Sequence, residues 1–435
     1  MNLKLFLLGL IFFSCNIDNN KVTQHRPERL SQDKNIEVLS FQVIDTLFIE
    51  ENENVILTDI TSLSISQDGS TMAVTNPSSK QLVLFNDKGD IIGEFKSGVF
   101  LSDSVALSGK EASRQWWDER MLKHNWKYIT IAQLKDHGME PENAKMVCNN
   151  MILIARFLEN RLYANTIVYI PSVNGTGDNW RNWDNRSVIL EFEKNFSNYS
   201  CLIAQYPDNT WPMGTGDFYV GNQLILTTMG YVDQDKKNQK DTMVTLCTYN
   251  RKNGDVVESI GWLPDCYEKS NLAYSLWWEP ILHMNNDELY IAYPLEDKIY
   301  GKYNNVRFEL KNLPYSNRRG FELIEDYRDL TKKWFKDNEG KELQTRCLHN
   351  MFPTRILKIL GDDKNLFVFI LVKVPDEKIY LLVQKYDYNG KLIAQGKIPY
   401  DNDNVIHQFD YDEKNQMFVF MKKSKRGWTA ERMEL

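Results

Sequence analysis

Short apolar runs separated by polar turns recur along most of the chain. Three segments share one pattern: an apolar strand, a polar turn that ends in glycine, and a second short apolar strand, at residues 82–92, 246–257 and 383–393. Asn and Asp favour the start of such a turn, and Gly accepts the positive φ at its exit, so each segment predicts a β-hairpin. A looser fourth copy covers residues 188–203.

A further hairpin pattern at residues 62–75 stands directly before the first copy, so four short strands follow one another there. Four strands within about 40 to 50 residues are typical of one blade of a β-propeller. The same spacing divides the chain into six blades, which we expect near residues 58–97, 146–206, 215–263, 279–313, 352–398 and 405–435. The pattern predicts an all-β fold, a six-bladed β-propeller.

The sixth predicted blade has only three candidate strands before the chain ends. A β-like run at residues 37–50 precedes the first blade and has no hairpin partner of its own. We expect this N-terminal strand to complete the sixth blade, because a closed ring has no exposed sheet edges and ties the two ends of the domain together.

Two segments break the strand pattern with apolar residues at helical spacing. They lie near residues 111–135, with Trp117 and Tyr128 on the apolar stripe, and near residues 321–336, with Phe321 and Trp334. We expect helical insertions between blades, which could either shape a ligand mouth or pack as caps over a blade.

The N-terminus has the pattern of an export signal. Lys4 precedes an apolar run, residues 5–13, that is too short to cross a bilayer as a permanent helix, and Ser14 and Cys15 follow it. Phe12-Phe13-Ser14-Cys15 resembles the lipobox of bacterial lipoproteins, which implies a lipid on Cys15 and removal of the preceding signal. We therefore expect a signal peptide over residues 1–15, a flexible polar tether over 16–35 and the propeller domain over 36–435.

Composition narrows the class of partner. The chain of 435 residues is 42% apolar and carries 21 Tyr, 21 Phe and 11 Trp, which is ample material for a folded core. A net charge of −7 with interspersed signs argues against nucleic acid. Beyond Cys15 the five cysteines are widely spaced and odd in number, so at least one is unpaired, and we expect Cys201 and Cys247 to be buried free thiols on strands.

The first predicted blade also carries a family resemblance. Ser66-Gln67-Asp68-Gly69-Ser70 followed by Met72-Ala73-Val74, and then Leu84-Phe85-Asn86-Asp87-Lys88-Gly89 with Ile91-Ile92, resemble the first blade of the six-bladed β-propeller lipoproteins of Bacteroidota. The resemblance implies an outer-membrane lipoprotein, facing the periplasm or the cell surface, of unassigned biochemical role that binds something at a channel mouth.

Aromatic residues supply the candidate ligand contacts. Trp180, Trp183 and Asp184 lie in a polar loop, and exposed indoles beside carboxylates are what a glycan site needs, because sugar faces stack on aromatic rings. The alternative is a surface loop held in place by its tryptophans. Trp211 and Trp277 each precede a predicted innermost strand, where they could contact a ligand or pack between neighbouring blades.

No stretch of the sequence contains a catalytic motif of a serine hydrolase, a zinc protease or a phosphate-binding loop, so no catalytic residue, metal ligand or cofactor is assigned. We expect a membrane-anchored binding or interaction module whose partner is a glycan, a small molecule or a protein. The alternative is a glycoside hydrolase or lyase with its site at the central channel mouth, which would need two converging carboxylates. A purely structural subunit is a third interpretation, and it predicts a broad apolar patch outside the ring.

Overall fold

The computed structural model describes residues 28–79, 81–96, 151–158, 161–171, 183–192, 199–203, 210–212, 217–231, 246–251, 256–260, 262–270, 279–324, 351–374, 377–400 and 405–434. These residues form six sheets of four or five strands each, which follow one another along the chain as the blades of a propeller. The predicted all-β, six-bladed architecture is confirmed.

Two strands precede the first blade, β1 (Glu37–Val38) and β2 (Gln42–Phe48). The first blade contains four antiparallel strands: β3 (Ser62–Ile65), β4 (Thr71–Asn76), β5 (Gln81–Asn86) and β6 (Ile91–Lys96). A 3₁₀ turn, Pro77–Ser79, joins the middle pair. Gly69 and Gly89 take φ values of 69° and 89° in the two flanking turns, as the hairpin pattern requires.

The second and third blades continue the antiparallel order. The second contains β7 (Met151–Leu158), β8 (Arg161–Pro171), β9 (Trp183–Phe192) and β10 (Tyr199–Ile203). The third contains β11 (Thr210–Pro212), β12 (Phe218–Val220), β13 (Leu224–Tyr231), β14 (Leu246–Asn250) and β15 (Val256–Ile260). Both β11 and β12 pair with β13, so the innermost strand of this blade is made of two pieces.

The remaining blades are each built from consecutive strands. The fourth contains β16 (Ile281–Asn285), β17 (Glu288–Ala292), β18 (Lys298–Tyr300) and β19 (Val306–Glu309). The fifth contains β20 (Thr354–Gly361), β21 (Asn365–Val372), β22 (Tyr380–Asp387) and β23 (Leu392–Pro399). The sixth contains β24 (Val405–Asp412), β25 (Met417–Ser424) and β26 (Gly427–Glu434).

The ring is closed by β2, which pairs antiparallel with β26 from Gln42 opposite Glu434 to Phe48 opposite Thr429. This confirms the expected role of the N-terminal run. The two residues of β1 instead pair parallel with β23 and extend the fifth blade. A second tie lies deeper, where the Trp428 indole N–H donates to the Leu57 carbonyl oxygen at 2.8 Å.

The core consists of apolar clusters between adjacent blades rather than one central core. One cluster joins Val419, Met421 and Trp428 of the sixth blade to Val74 and Phe85 of the first. Equivalent clusters join the second blade to the third, the third to the fourth, the fourth to the fifth and the fifth to the sixth. Burial between blades leaves the middle of the ring free for polar side chains. Cys247 is a buried free thiol on β14, as expected, and the side chain of Cys201 on β10 lies outside the description.

The described residues contain two short helices, α1 (Asp265–Lys269) and α2 (Arg318–Leu323). Helix α2 begins three residues before the predicted insertion near 321–336, and it ends at Leu323, because the backbone of Ile324 is extended. Residues 325–350 and the predicted insertion near 111–135 lie outside the described residues. In the described part of the chain, no helix has the length and apolar character to cross a membrane.

Candidate functional site

The innermost strands of the six blades surround a central channel with a volume of about 1080 Å³. These strands are β3, β7, β12, β16, β20 and β24. At one end, here named the hairpin end, the channel is lined by residues at the turns between first and second strands, including Gln67, Asn286, Gly361 and Glu413. The opposite end is lined by Thr61, Glu279 and Arg355.

Polar side chains on the channel wall join neighbouring innermost strands. Each accepts a hydrogen bond from a backbone N–H of the next blade: Ser62 Oγ from Ala155 at 2.9 Å, Ser64 Oγ from Phe157 at 2.9 Å, Asp217 Oδ2 from Leu282 at 3.0 Å, and Asp410 Oδ2 from Ile65 at 2.9 Å. These bonds satisfy backbone groups at the inner edges of the first, second and fourth sheets. The Asp410 bond connects the sixth blade to the first and therefore closes the ring from inside.

Two ion pairs lie in the middle of the channel. Arg156 contacts Asp217 Oδ1, and Lys358 Nζ lies 3.7 Å from Asp410 Oδ1 and donates to the Phe409 carbonyl oxygen at 2.5 Å. All four charged side chains are largely buried; that of Lys358 is 18% exposed. Burial lowers the pKa of Lys358, Arg156 lowers it further, and Asp410 opposes the shift. The two cations are thus close enough to repel each other and are held together by the two carboxylates.

Aromatic groups concentrate toward the hairpin end. His283 Nε2 and Tyr388 Oη lie 3.0 Å apart, and Tyr388 Oη donates to the Asp362 carbonyl oxygen at 2.7 Å. Tyr219 Oη donates to the Met284 carbonyl oxygen at 3.4 Å. Burial lowers the pKa of His283 to about 4, and Arg156 acts in the same direction, so the imidazole is neutral at physiological pH.

Carboxylates also gather at the hairpin end. Partial burial at the mouth raises the pKa of Glu413, and the neighbouring carboxylates of Asp363, Asp410, Asp362 and Asp412 raise it further. Glu413 therefore lies in a negative local field at the mouth, above the two ion pairs.

Of the predicted ligand contacts, Trp183, Asp184 and Trp211 have a described backbone, which lies on strands of the second and third blades. Trp183 and Asp184 begin β9, the third strand of the second blade, where Trp183 pairs with Pro171. Trp211 lies on β11 at the inner edge of the third blade and pairs with Gly230. The side chains of these three residues, and Trp180 and Trp277 entirely, lie outside the description, so their contact with a ligand stays a prediction.

Sequence reasoning missed Arg156, Asp217, His283, Lys358 and Asp410. Three of them had a detectable signal, since a charged residue interrupts an apolar first strand in Ile154-Ala155-Arg156-Phe157, in Ile356-Leu357-Lys358-Ile359 and in Phe409-Asp410-Tyr411. In a propeller blade the first strand faces the channel, so a charge placed there identifies the channel wall once the blades are assigned.

No family model and no curated protein matches the chain. Among solved structures, it is similar to a member of the DUF4221 family from Bacteroides vulgatus, with 9% identity, a TM-score of 0.47, and coverage of 91% of this chain and 98% of the other. A Bacteroides fragilis protein whose name describes it as exported gives 9% identity, a TM-score of 0.45, and coverage of 92% and 98%. A Bacteroides caccae protein of unknown function gives 10% identity, a TM-score of 0.36, and coverage of 78% and 81%.

Proposed function

We propose that this protein is an exported, lipid-anchored binding module whose ligand occupies the central channel. The observation that carries the proposal is the channel itself: a cavity of about 1080 Å³, lined by all six innermost strands and furnished with charged and aromatic side chains. Cavities that bind small molecules in proteins have volumes of roughly 300 to 1,000 Å³ and combine apolar walls with a few placed polar groups. A small polar molecule is the favoured partner, and a glycan or a protein segment is the alternative.

The two carboxylates in the middle of the channel favour binding over hydrolysis. A glycosidase needs one carboxyl group that gives up a proton and a second that attacks or activates water. In the channel, one oxygen of Asp217 and one of Asp410 accept a backbone N–H, and the other oxygen of each is paired with a basic side chain. Carboxylates engaged in this way hold blades together, so we do not extend the proposal to a reaction.

The channel proposal is tested by filling the channel. Gln408 lines it and is not among the residues that bond neighbouring blades, whereas Ile92, 50% exposed on β6, faces solvent on the outside of the ring. Gln408→Trp and Ile92→Trp add similar bulk in these two places. A panel of metabolites and glycans is screened against the mature chain by thermal shift, and each hit is measured by calorimetry. We expect Gln408→Trp to abolish binding and Ile92→Trp to leave it unchanged; a hit that binds both variants equally would place the ligand elsewhere.

The membrane anchor and the outer-membrane location rest on the N-terminal segment. Residues 1–15 have the order of a lipoprotein signal, and the domain described by the structure begins after a polar stretch that could act as a tether. Multiple acyl chains on Cys15 would give durable attachment, because each buried methylene adds about 0.8 kcal/mol. Mass spectrometry of the protein from its host should show a diacylated or triacylated Cys15 at the N-terminus, and Cys15→Ser should release the chain from the membrane fraction. An unmodified N-terminus would refute the anchor without bearing on the channel.

A further inference from the structure

Two separate layers of charged groups lie between the middle of the channel and its hairpin end. The deeper layer contains Arg156 and Lys358, whose ammonium and guanidinium groups are 18% to 21% exposed as side chains and are paired with Asp217 and Asp410. Each carboxylate is fixed by a backbone N–H of the adjacent blade, so neither can follow its cation if that cation turns. An arginine has five N–H donors and a carboxylate accepts about four hydrogen bonds, so Arg156 retains a donor for an anionic group when it is paired with Asp217.

The upper layer, at the hairpin end, has the opposite character. Glu413 and Asp287 line the channel there, and Asp362 and Asp363 act electrostatically on Glu413. Tyrosine rings lie beside these carboxylates, with Tyr411 Oη 3.5 Å from Asp362 Oδ2. Carboxylates together with aromatic faces are the surroundings that an ammonium group prefers.

The spacing between the layers follows from the strands. Lys358 is three residues before Gly361 at the hairpin end of β20, and Asp410 is three residues before Glu413. At a rise of 3.2 to 3.4 Å per residue, the backbone positions of the two layers are about 10 Å apart along these strands. The span between the ammonium and the carboxylate of an extended tripeptide is also about 10 Å, at roughly 3.3 to 3.6 Å per residue.

We propose that the ligand of the channel is a zwitterion of the size of a tripeptide, with its carboxylate between Arg156 and Lys358 and its ammonium beside Glu413. This inference rests on the proposed binding function and names its ligand class. The near balance of acidic and basic side chains along the channel favours a ligand that carries both charges over one that carries a single charge.

Trialanine and two of its derivatives test the orientation. N-acetyl-trialanine lacks the ammonium, and trialanine amide lacks the carboxylate, while the backbone is the same. We expect trialanine to bind the mature chain in calorimetry, and each derivative to bind about tenfold more weakly, because each loses one charged contact. Trialanine amide tests the deep layer by changing the ligand and not Lys358, because replacing that residue would also disturb the contacts that hold the ring together.

The upper layer is tested on the protein with Glu413→Gln, which lies in an exposed turn, and with Glu53→Gln as a matched control in an exposed loop before the first blade. Glu413→Gln should weaken trialanine binding several-fold and leave N-acetyl-trialanine unchanged, and Glu53→Gln should alter neither. Equal binding of trialanine and N-acetyl-trialanine would overturn the zwitterion proposal. If no peptide binds, but a compound of the wider panel binds the native chain and not Gln408→Trp, the ligand class is wrong and the channel proposal stands. If Gln408→Trp weakens the binding of no compound, the channel proposal itself fails.

Discussion

Asp410→Ala removes two contacts of the sixth blade, one with the first blade and one with the fifth. The first is the bond from the Ile65 N–H at 2.9 Å, whose loss leaves a backbone donor without its acceptor and costs about 1 to 2 kcal/mol. The second is the counter-charge of Lys358, 3.7 Å away. Breaking a buried ion pair from one side costs about 3 to 5 kcal/mol, and roughly half of that applies where both side chains are 16% to 18% exposed. We therefore expect Asp410→Ala to lower the free energy of unfolding by about 3 to 4 kcal/mol.

Urea denaturation followed by tryptophan fluorescence and circular dichroism measures this loss. Asp410→Asn keeps an acceptor for Ile65 and removes only the charge, so it should lose about half as much. Glu309→Ala is the control, because its pair with Lys311 at 3.5 Å is more than half exposed and contributes little. In the Lys358→Met background, Asp410→Ala should lower the free energy of unfolding by less than in the native chain, because the cation that would lose its counter-charge is no longer present. Equal losses in the two backgrounds, or a loss no larger than that of Glu309→Ala, would refute the argument.

Two further predictions concern the protein's pH response and its outer seam. The pKa of His283 is about 4 in the folded chain against an ordinary value of 6.5, so the folded state disfavours its protonation. The contribution of His283 to the free energy of unfolding should be constant above pH 6.5 and fall by about 3 kcal/mol as the pH drops to 4. Urea titrations at each pH should show that His283→Gln lacks this pH-dependent loss of stability. Gly89 has a φ of 89°, and a Cβ added there would lie 2.4 Å from the Phe48 carbonyl oxygen, so Gly89→Ala should lower the free energy of unfolding by about 2 kcal/mol. Gly221→Ala is the control: its Cβ would lie 3.5 Å from the nearest atom, so it should change the free energy of unfolding by less than about 1 kcal/mol. Similar melting temperatures for the two variants would contradict the proposed strain at Gly89.

The blades could be predicted from the sequence because their signals are local. The hairpin patterns combine short apolar strands with a polar turn, and Gly takes the positive φ in three of the described turns, at Gly69, Gly89 and Gly390. Closure by β2 was also predictable, since an unpaired apolar run at one end matched a missing strand at the other. Both inferences use only the order of strands and the need of each sheet edge for a partner.

The channel cluster could not be predicted in the same way because its residues meet only when the ring forms. Arg156 and Asp217 belong to different blades, as do Lys358 and Asp410, and no fixed spacing in the chain relates them. The two-piece inner strand of the third blade was missed as well, since β11 and β12 are each only three residues long. The sequence analysis assigned ligand contacts to tryptophans because an aromatic loop can be recognised from a short segment alone. A charged residue on an inner strand can be assigned to the channel wall only after the order of the blades is known.

The ring is closed at its outer edge by the pairing of β2 with β26 and at its inner edge by the bond between Asp410 and Ile65, and only the inner closure includes a channel residue. The outer closure relies mainly on backbone pairing, because most side chains of β2 are exposed, including Phe48 at 66%. The inner closure relies on Asp410, which also fixes the cation in the deep layer of the channel. A ligand that binds Lys358 in the folded ring and not in the unfolded chain must raise the free energy of unfolding by mass action. That gain should be larger in Asp410→Asn than in a variant of the outer closure such as Gly89→Ala, because only the former removes a negative charge beside the cation that the ligand carboxylate contacts.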